Sequence, residues 1–388
     1  MTETKRLSVF IYVTHLLGSG HLSRALAIAE ACYAQKMKVT LATGGFPTHK
    51  LKDRPFDIVQ LPPCKIKGTD FSTLYDENDD IVDDDWRSNR TGELLAALIA
   101  TNTDIIITEL FPLGRHQMKF ELEPFLQLAQ KLTPAPTLLC SVRDILQPPS
   151  KQKKITRAET YLEDFYDGLL VHGDSNVALL ANSFPLKAGL LETAHYTGYI
   201  FDGKKPQKNK DPKTEIIVSA GGGAAGTRLY ETAVEASKVG PKGYVWRLLV
   251  GKGLPQAFFD KLLAESHAGL IVEWARPDFP ELLANAALSI SQAGYNTMLD
   301  IVNARVRSIT VPFSDGGELE QEMRAKLFKK AGYTSVLANA ELNARSLSKT
   351  VDASLVRPVK DKQTLNLEGS RGTAQIIKQL WEDKQKNV

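Results

Sequence analysis

Short apolar runs alternate with helix-patterned stretches along nearly the whole chain, and the alternation is played out twice. In the first half the apolar runs fall at residues 7–13, 38–42, 57–61, 104–109, 136–141 and 168–172. Most are near-continuous in apolar residues, as strands buried on both faces of a parallel sheet must be. Between them lie stretches with apolar residues three and four apart, the pattern of crossover helices. A polar, lysine-rich stretch, "FDGKKPQKNKDPKTE" (201–215), then interrupts the pattern. It restarts with "EIIVSAGGG", "YVWRLLVG", "GLIVEW", "AALSISQAG" and "RSITVPF", each followed by a helical pattern. At 388 residues the chain exceeds one ordinary core. The expectation is an α/β protein of two Rossmann-like doubly wound domains with a cleft between them. Their boundaries are 1–200 for the first domain, 201–213 for the linker and 214–365 for the second domain. A C-terminal stretch, 366–388, carries Ile376, Ile377, Leu380 and Trp381 at helical spacing and would pack back toward the domain junction.

Composition narrows the function classes. The 48 basic residues nearly balance 45 acidic ones, a formal charge of +3, so no global field recruits nucleic acid. Peripheral contact with a membrane stays open through local patches. Lys5 and Arg6 precede the first apolar run, but that run is short and lacks a small-residue cleavage site. Cys32, Cys64 and Cys140 have no paired metal-ligand spacing and read as reduced thiols of a cytoplasmic protein. The acidic run "YDENDDIVDDD" (75–85) lacks the ligand alternation and internal glycine of a calcium loop and reads as a solvated segment. Its position also fits a mobile flap over a substrate cleft.

The segment "VTHLLGSGHLSRALAIAEA" (13–31) sets Gly18, Gly20 and His21 between the first strand and an amphipathic helix. A glycine turn feeding a helix is a common phosphate site, because the helix amides and dipole favour an anion there. A dinucleotide site also needs a third small residue, a place Ser23 can fill, and an acid ending the second strand. "VTLATGG" (39–45) ends without an acid, so the dehydrogenase reading fails. What remains is a turn that places His21 in the first helical turn, beside the carboxyl edge of the first strand. The positive helix end there lowers an imidazole's pKa. Such a histidine can be a general base or a simple cap, and the turn alone leaves both open.

In the second half, "SAGGGAAG" (219–226) follows a strand and opens a helix, so its amides can cradle a diphosphate. "SQAGYNTMLDI" (291–301) is a second turn of that kind. Gln292 and Asn296 flank its Gly294, and Asp300 lies one helical turn beyond Asn296 on the same face.

Together "GSGHLSRALAIAEA", "SAGGGAAG" and "SQAGYNTMLD…VPF…EQ…KKAG" resemble the GT-B glycosyltransferases. The resemblance is nearest to the bacterial family 28-like branch that includes the lipid-linked N-acetylglucosaminyltransferase of peptidoglycan synthesis. "TELFPLGRHQMKFELEP", "SVRDIL" and "LLVHGD" resemble a group of bacterial predicted glycosyltransferases. The resemblance implies a nucleotide-sugar donor, in particular a UDP-sugar, bound in the second domain. Gly222 and Gly223 would hold the diphosphate, with Asn296 and Thr297 on the phosphate side. Asp300 would hold the ribose in place of the usual glutamate. Glu320 and Gln321 match the pair that holds the sugar hydroxyls, and Gln292 stands where many relatives carry histidine or arginine. His21 matches the family's base, and Glu109 sits where some relatives have an aspartate that orients it. Gly20, Arg24, Arg143, Asp144 and His172 are candidates for the acceptor side, with ordinary surface or interstrand pairs as the alternative reading of the last four. The implied reaction is one direct displacement with inversion, needing no cofactor and no metal. The acceptor, whether small molecule, glycan or lipid-linked, is not specified. A nucleotide-sugar hydrolase and a noncatalytic sugar-nucleotide-binding protein are the rival readings.

Overall fold

The computed structural model describes residues 6–16, 20–67, 73–201, 203, 205–209, 211, 213–221, 226–314, 318–359 and 365–386. The chain divides into two units. The first runs to Ser175 and takes in Leu179–Ile200 and the segment from Asn366 onward. The second comprises Asn176–Ala178 and Phe201–Leu365.

The apolar runs of the first unit are the parallel strands β1 (Ser8–Val13), β2 (Lys38–Thr43), β3 (Asp57–Gln60), β4 (Ile105–Glu109), β5 (Thr137–Arg143) and β6 (Gly168–His172). The short β7 (Ala194–Tyr196) completes a seven-stranded sheet in the order β3-β2-β1-β4-β5-β6-β7. Helices α1 (Gly20–Ala34), α2 (Asp84–Ala100), α3 (Lys119–Lys131), α4 (Gln152–Phe165) and α5 (Ala188–Glu192) belong to this unit. Successive residues of β1 serve opposite cores, as the two-residue period of a strand requires. Val9, Ile11 and Val13 pack with Leu22, Leu26 and Ile28 of α1, while Phe10 and Tyr12 pack with Leu94 and Leu98 of α2 and Leu122 and Phe125 of α3.

The second unit repeats the plan. Its strands are β8 (Glu215–Ser219), β9 (Val245–Val250), β10 (Leu270–Trp274), β11 (Leu288–Ser291), β12 (Ser308–Thr310) and β13 (Ser335–Val336), ordered β10-β9-β8-β11-β12-β13. Its helices are α6 (Thr227–Val239), α7 (Gln256–Leu263), α8 (Phe279–Asn285), α9 (Tyr295–Ala304), α10 (Glu320–Lys330) and α11 (Ala344–Leu355). Both sheets follow the 3-2-1-4-5-6 progression, which reverses direction between their first and fourth strands. Ligands of doubly wound sheets bind outside the carboxyl ends of the strands at that reversal.

The last helix, α12 (Gly369–Lys386), belongs to the first unit and packs on α1. Its Ala374 and Ile377 are buried in the core that holds Leu22 and Leu26. The carbonyl of Asn366 accepts from the Tyr199 amide at 2.7 Å, fixing where the chain re-enters the unit. No helix among the described residues is long and apolar enough to cross a membrane.

Candidate functional site

In the first unit the sheet reversal lies between β1 and β4. The chain leaving β1 enters α1 with His21 as its second residue, and β4 ends on Glu109. Position in the sheet therefore brings the two together across 88 residues of sequence, with His21 Nδ1 2.8 Å from Glu109 Oε2 and 2.9 Å from Oε1. Arg24, one turn along α1, also pairs with the Glu109 carboxylate, and its Nη2 lies 3.2 Å from His21 Nδ1. The carboxylate side chain is 2% exposed and the imidazole 18%. Hydrogen-bonding to Glu109 places the ring proton on Nδ1 and leaves Nε2 as the basic nitrogen.

Burial lowers the His21 pKa; Glu109 raises it again, and Arg24 and Arg115 push it down. The net direction is the one the sequence suggests, but its leading cause is desolvation rather than the helix end alone. Burial would raise the Glu109 pKa, yet His21 and Arg24 prevail and hold its carboxyl well below the usual carboxylate range. Glu109 is thus an anion that orients His21 and would stabilise its protonated form.

Gly20 opens α1 with open space where a side chain would project. Gly18 lies outside the described residues. Arg143 ends β5, and its guanidinium acts electrostatically on Arg115. Two other acceptor candidates are buried. Asp144 has no exposed surface. His172 has none either; its Nε2 bonds Ser141 Oγ at 2.8 Å and its Nδ1 bonds Thr197 Oγ1 at 2.9 Å. Burial pushes the His172 pKa down to about 3, a neutral ring that ties β5 and β6 together rather than one open to a ligand.

Two features of this unit escape sequence reasoning. Arg115 takes a left-handed backbone with φ 58°, and burial lowers its pKa against the attraction of Glu109. Nothing in "PLGRH" marks it except its place after β4. Behind the site, Arg90 of α2 and Glu121 of α3 form an ion pair with both side chains wholly buried, Nε to Oε2 at 2.6 Å. Arg90 also donates to the Gly44 carbonyl at 2.9 Å and to Thr14 Oγ1 at 3.0 Å, bracing the loops after β1 and β2. Gly44 must lack a side chain, because a Cβ would lie 1.9 Å from Arg90 Nη2.

In the second unit the reversal lies between β8 and β11, which pair in register from Leu288↔Ile216 to Ser291↔Ser219. Helices α6 and α9 begin after β8 and β11 respectively, and two such N-terminal ends favour a negatively charged group. Gly222 and Gly223 lie outside the described residues. Gly226 is the N-cap of α6, with φ 104° and no room for a Cβ, which would sit 2.1 Å from that of Ala220. Gln292 stands beside it, its Nε2 3.4 Å from that same point. Gly294 is the N-cap of α9, Asn296 and Thr297 occupy its first turn, and Asp300 follows one turn later, half-buried.

Glu320 and Gln321 open α10 and brace this turn. Gln321 Oε1 accepts from the Ala293 amide at 3.0 Å and the Phe313 amide at 3.2 Å. Glu320 Oε1 accepts from Nη2 of the buried Arg324 at 2.9 Å, and Arg324 Nη1 donates to the Ala293 carbonyl at 3.1 Å. Arg324, unmarked in the sequence, joins the residues matched to sugar binding to the turn they serve.

The acidic run has local work to do. Asp76 Oδ1 accepts from the amides of Asn78 and Asp80, Asp79 pairs with Lys65 at 2.6 Å, and Asp83 caps α2 through the Trp86 amide. Cys32, Cys64 and Cys140 are free and buried, and burial raises all three pKa values, to about 12 for Cys32 and about 11 for Cys64.

Two parallel doubly wound units with these paired turns define the GT-B fold, and the chain resembles the lipid-linked N-acetylglucosaminyltransferases that have it. Residues 217–380 match the glycosyltransferase family 28 C-terminal domain. Over 80 residues the chain is 35% identical to the UDP-N-acetylglucosamine–N-acetylmuramyl-(pentapeptide) pyrophosphoryl-undecaprenol N-acetylglucosamine transferase of Clostridium perfringens. That stretch is 20% of this chain and spans only 22% of the length of that relative. The calicheamicin glycosyltransferase CalG4 superposes with a TM-score of 0.67 at 14% identity, covering 99% of this chain and all of that one. MurG of Acinetobacter baumannii gives 0.64 at 16% identity, over 96% of this chain and 99% of that one.

Proposed function

We propose that the protein is a glycosyltransferase that moves a sugar from a nucleoside-diphosphate donor, in particular a UDP-sugar, to an acceptor hydroxyl. The observation that carries this reading is the His21–Glu109 pair: a partly exposed imidazole whose Nδ1 is held 2.8 Å from a buried carboxylate. Nε2 of His21 takes the proton of the acceptor hydroxyl as its oxygen attacks the anomeric carbon. The bond from that carbon to the diphosphate oxygen breaks in the same displacement, which inverts the configuration. Glu109 holds the ring and offsets the charge it acquires. The N-termini of α6 and α9 receive the negative charge developing on the diphosphate, so the chain's own amides supply that stabilisation. Asp300 holds the ribose hydroxyls, and Gln292, Asn296 and Thr297 line the phosphate side. Glu320 and Gln321 take the sugar side while fixing the turn. The acceptor lies against Gly20, Arg24, Arg143 and Arg115. The acceptor's further identity, and any contact with a membrane surface, depend on which hydroxyl compound the protein accepts.

UDP should stabilise the protein with chelator present, by about 2.7 kcal/mol at a concentration a hundredfold above its Kd. Asp300→Ala should weaken that gain and leave the unliganded melting temperature near wild type. No shift with any common nucleoside diphosphate would remove the donor assignment. Donor consumption should be slow in water and much faster when the right acceptor is present. Rapid acceptor-independent release of free sugar, lost in His21→Ala, would instead establish hydrolysis.

A further inference from the structure

The second unit carries a recess at the edge of its sheet opposite the donor turns. Those turns follow the carboxyl ends of β8 and β11, whereas the recess is lined by residues that precede strands or end helices. Arg305 is the C-cap of α9, Arg307 immediately precedes β12, Tyr333 lies just before β13, and Arg357 follows α11. Three arginines therefore line one depression. Lys208 and Lys213 of the 201–215 segment lie within electrostatic reach of Arg305 and Arg307 respectively.

Among the described residues no carboxylate answers these cations. None of Arg305, Arg307, Arg357, Lys208 and Lys213 forms an ion pair among the described residues. Arg307 Nε donates to the Arg357 carbonyl at 2.7 Å, and Arg357 donates to the Gly332 carbonyl at 2.9 Å and Ser335 Oγ at 3.1 Å. Lys213 donates to the Ala284 carbonyl at 2.8 Å. These contacts hold the side chains in place without neutralising them. Burial lowers the pKa of both lysines; the charged groups acting on Lys208 are Arg305 and Lys205, and those acting on Lys213 are Lys208 and Arg307, all cations.

Helix ends explain part of the cluster, since α9 and α11 finish there and a helix C-terminus attracts cations. Each end carries only about half a negative charge, so two of them balance roughly one cation. A solvated basic face would not need a recess lined by three arginines. The recess has a cavity volume of about 30 Å³, on the order of two oxygen-sized groups, so a phosphate would enter it by its outer oxygens. A guanidinium fork matches the oxygens of a phosphate better than it matches a compact halide.

We infer that this recess binds a terminal phosphate group, its oxygens entering among Arg305, Arg307 and Arg357, with Lys208 and Lys213 at the rim. The phosphate could come from a small phosphate monoester or from a phosphomonoester lipid headgroup, and the chemistry at the recess is the same. The assignment stands apart from the donor reading, because the residues and the sheet edge are different.

The test is calorimetry of the full chain with inorganic phosphate and with glycerol 3-phosphate at constant ionic strength. Alongside it, the chain is co-sedimented with phosphatidylcholine vesicles with and without phosphatidic acid. Arg305→Glu, at an exposed position, and Lys208→Gln are compared with wild type after circular-dichroism melts show that they fold. Saturable phosphate or glycerol 3-phosphate binding that weakens roughly tenfold or more in Arg305→Glu, and measurably in Lys208→Gln, supports a soluble ligand. Phosphatidic-acid-dependent sedimentation lost in the same variants, without binding of the soluble compounds, supports the headgroup. Unchanged affinity in Arg305→Glu, or binding of none of these probes by wild type, overturns the inference. So does phosphate binding that Asp300→Ala abolishes and Arg305→Glu retains, which would belong to the donor turns.

Discussion

His21 and Glu109 give the sharpest test at the scale of single residues. His21→Ala should keep donor binding and near-native melting while losing on the order of a hundredfold or more in kcat. A pure capping role would instead cost roughly 1 kcal/mol of stability with turnover kept. Because burial lowers the His21 pKa, the acid limb of kcat/KM should lie below the ordinary histidine value of about 6.5. The base is active when neutral, so activity falls as pH drops through that limb. Glu109 raises the His21 pKa, so Glu109→Gln should move the limb to still lower pH while reducing the plateau rate; an unmoved limb would remove Glu109 from the dyad. The depressed Glu109 pKa also contributes stability that is present above the unfolded carboxyl value, about 4.3, and is lost as pH falls toward the folded one. The buried Arg90–Glu121 pair behaves differently. Arg90→Met strands a carboxylate in the core and should cost about 3–5 kcal/mol, read from denaturant midpoints. Adding Glu121→Leu should recover part of that loss, since the two effects are coupled. His21 was legible because a glycine turn and a helix start surround it. Arg90 and Glu121 were not, because each looks like a solvated charge on an amphipathic helix and their meeting is decided only by how α2 and α3 pack.

Among the elements, burial decides what sequence reveals. Strands covered on both faces must be apolar throughout, and all eleven anticipated runs are strands of the two sheets. The two unanticipated strands, β7 ("AHY") and β13 ("SV"), are short, only partly buried and outermost in their sheets, so their sequences carry no such demand. The segments after β8 and β11 were legible by glycine content, while the bracing by Arg324 and Gln321 was not, because hydrogen bonds to backbone groups impose no spacing on the sequence. The helical spacing in α12 marks it as amphipathic, and the structure gives its apolar face a partner in α1. Ile377, wholly buried there, should cost about 2–5 kcal/mol when truncated to alanine. Unchanged thermal unfolding of Ile377→Ala would mean that α12 contributes nothing to the fold of the first unit.

At the scale of the whole molecule, a formal charge of +3 conceals local fields of one sign, such as the arginines around the recess of the second unit. Composition averages over the surface, and a binding field does not. Each unit has its own core, so a ligand should protect the unit that holds it. UDP added alone should slow amide exchange at the segments following β8 and β11 and leave β1 and α1 unaffected; the reverse pattern would move the diphosphate to the first unit. The helix α12 also has a consequence for biosynthesis. All of the second unit's Phe201–Leu365 emerges from the ribosome between the two parts of the first. Chains ordinarily fold domain by domain from the N-terminus as they are made. Here the half that is translated first is finished last, and its sheet waits with the α1 face uncovered until residues 369–386 have emerged. A premature stop codon ahead of that helix would leave the second unit's sequence whole and injure the first, so quality-control proteases should find their opening far from the lesion.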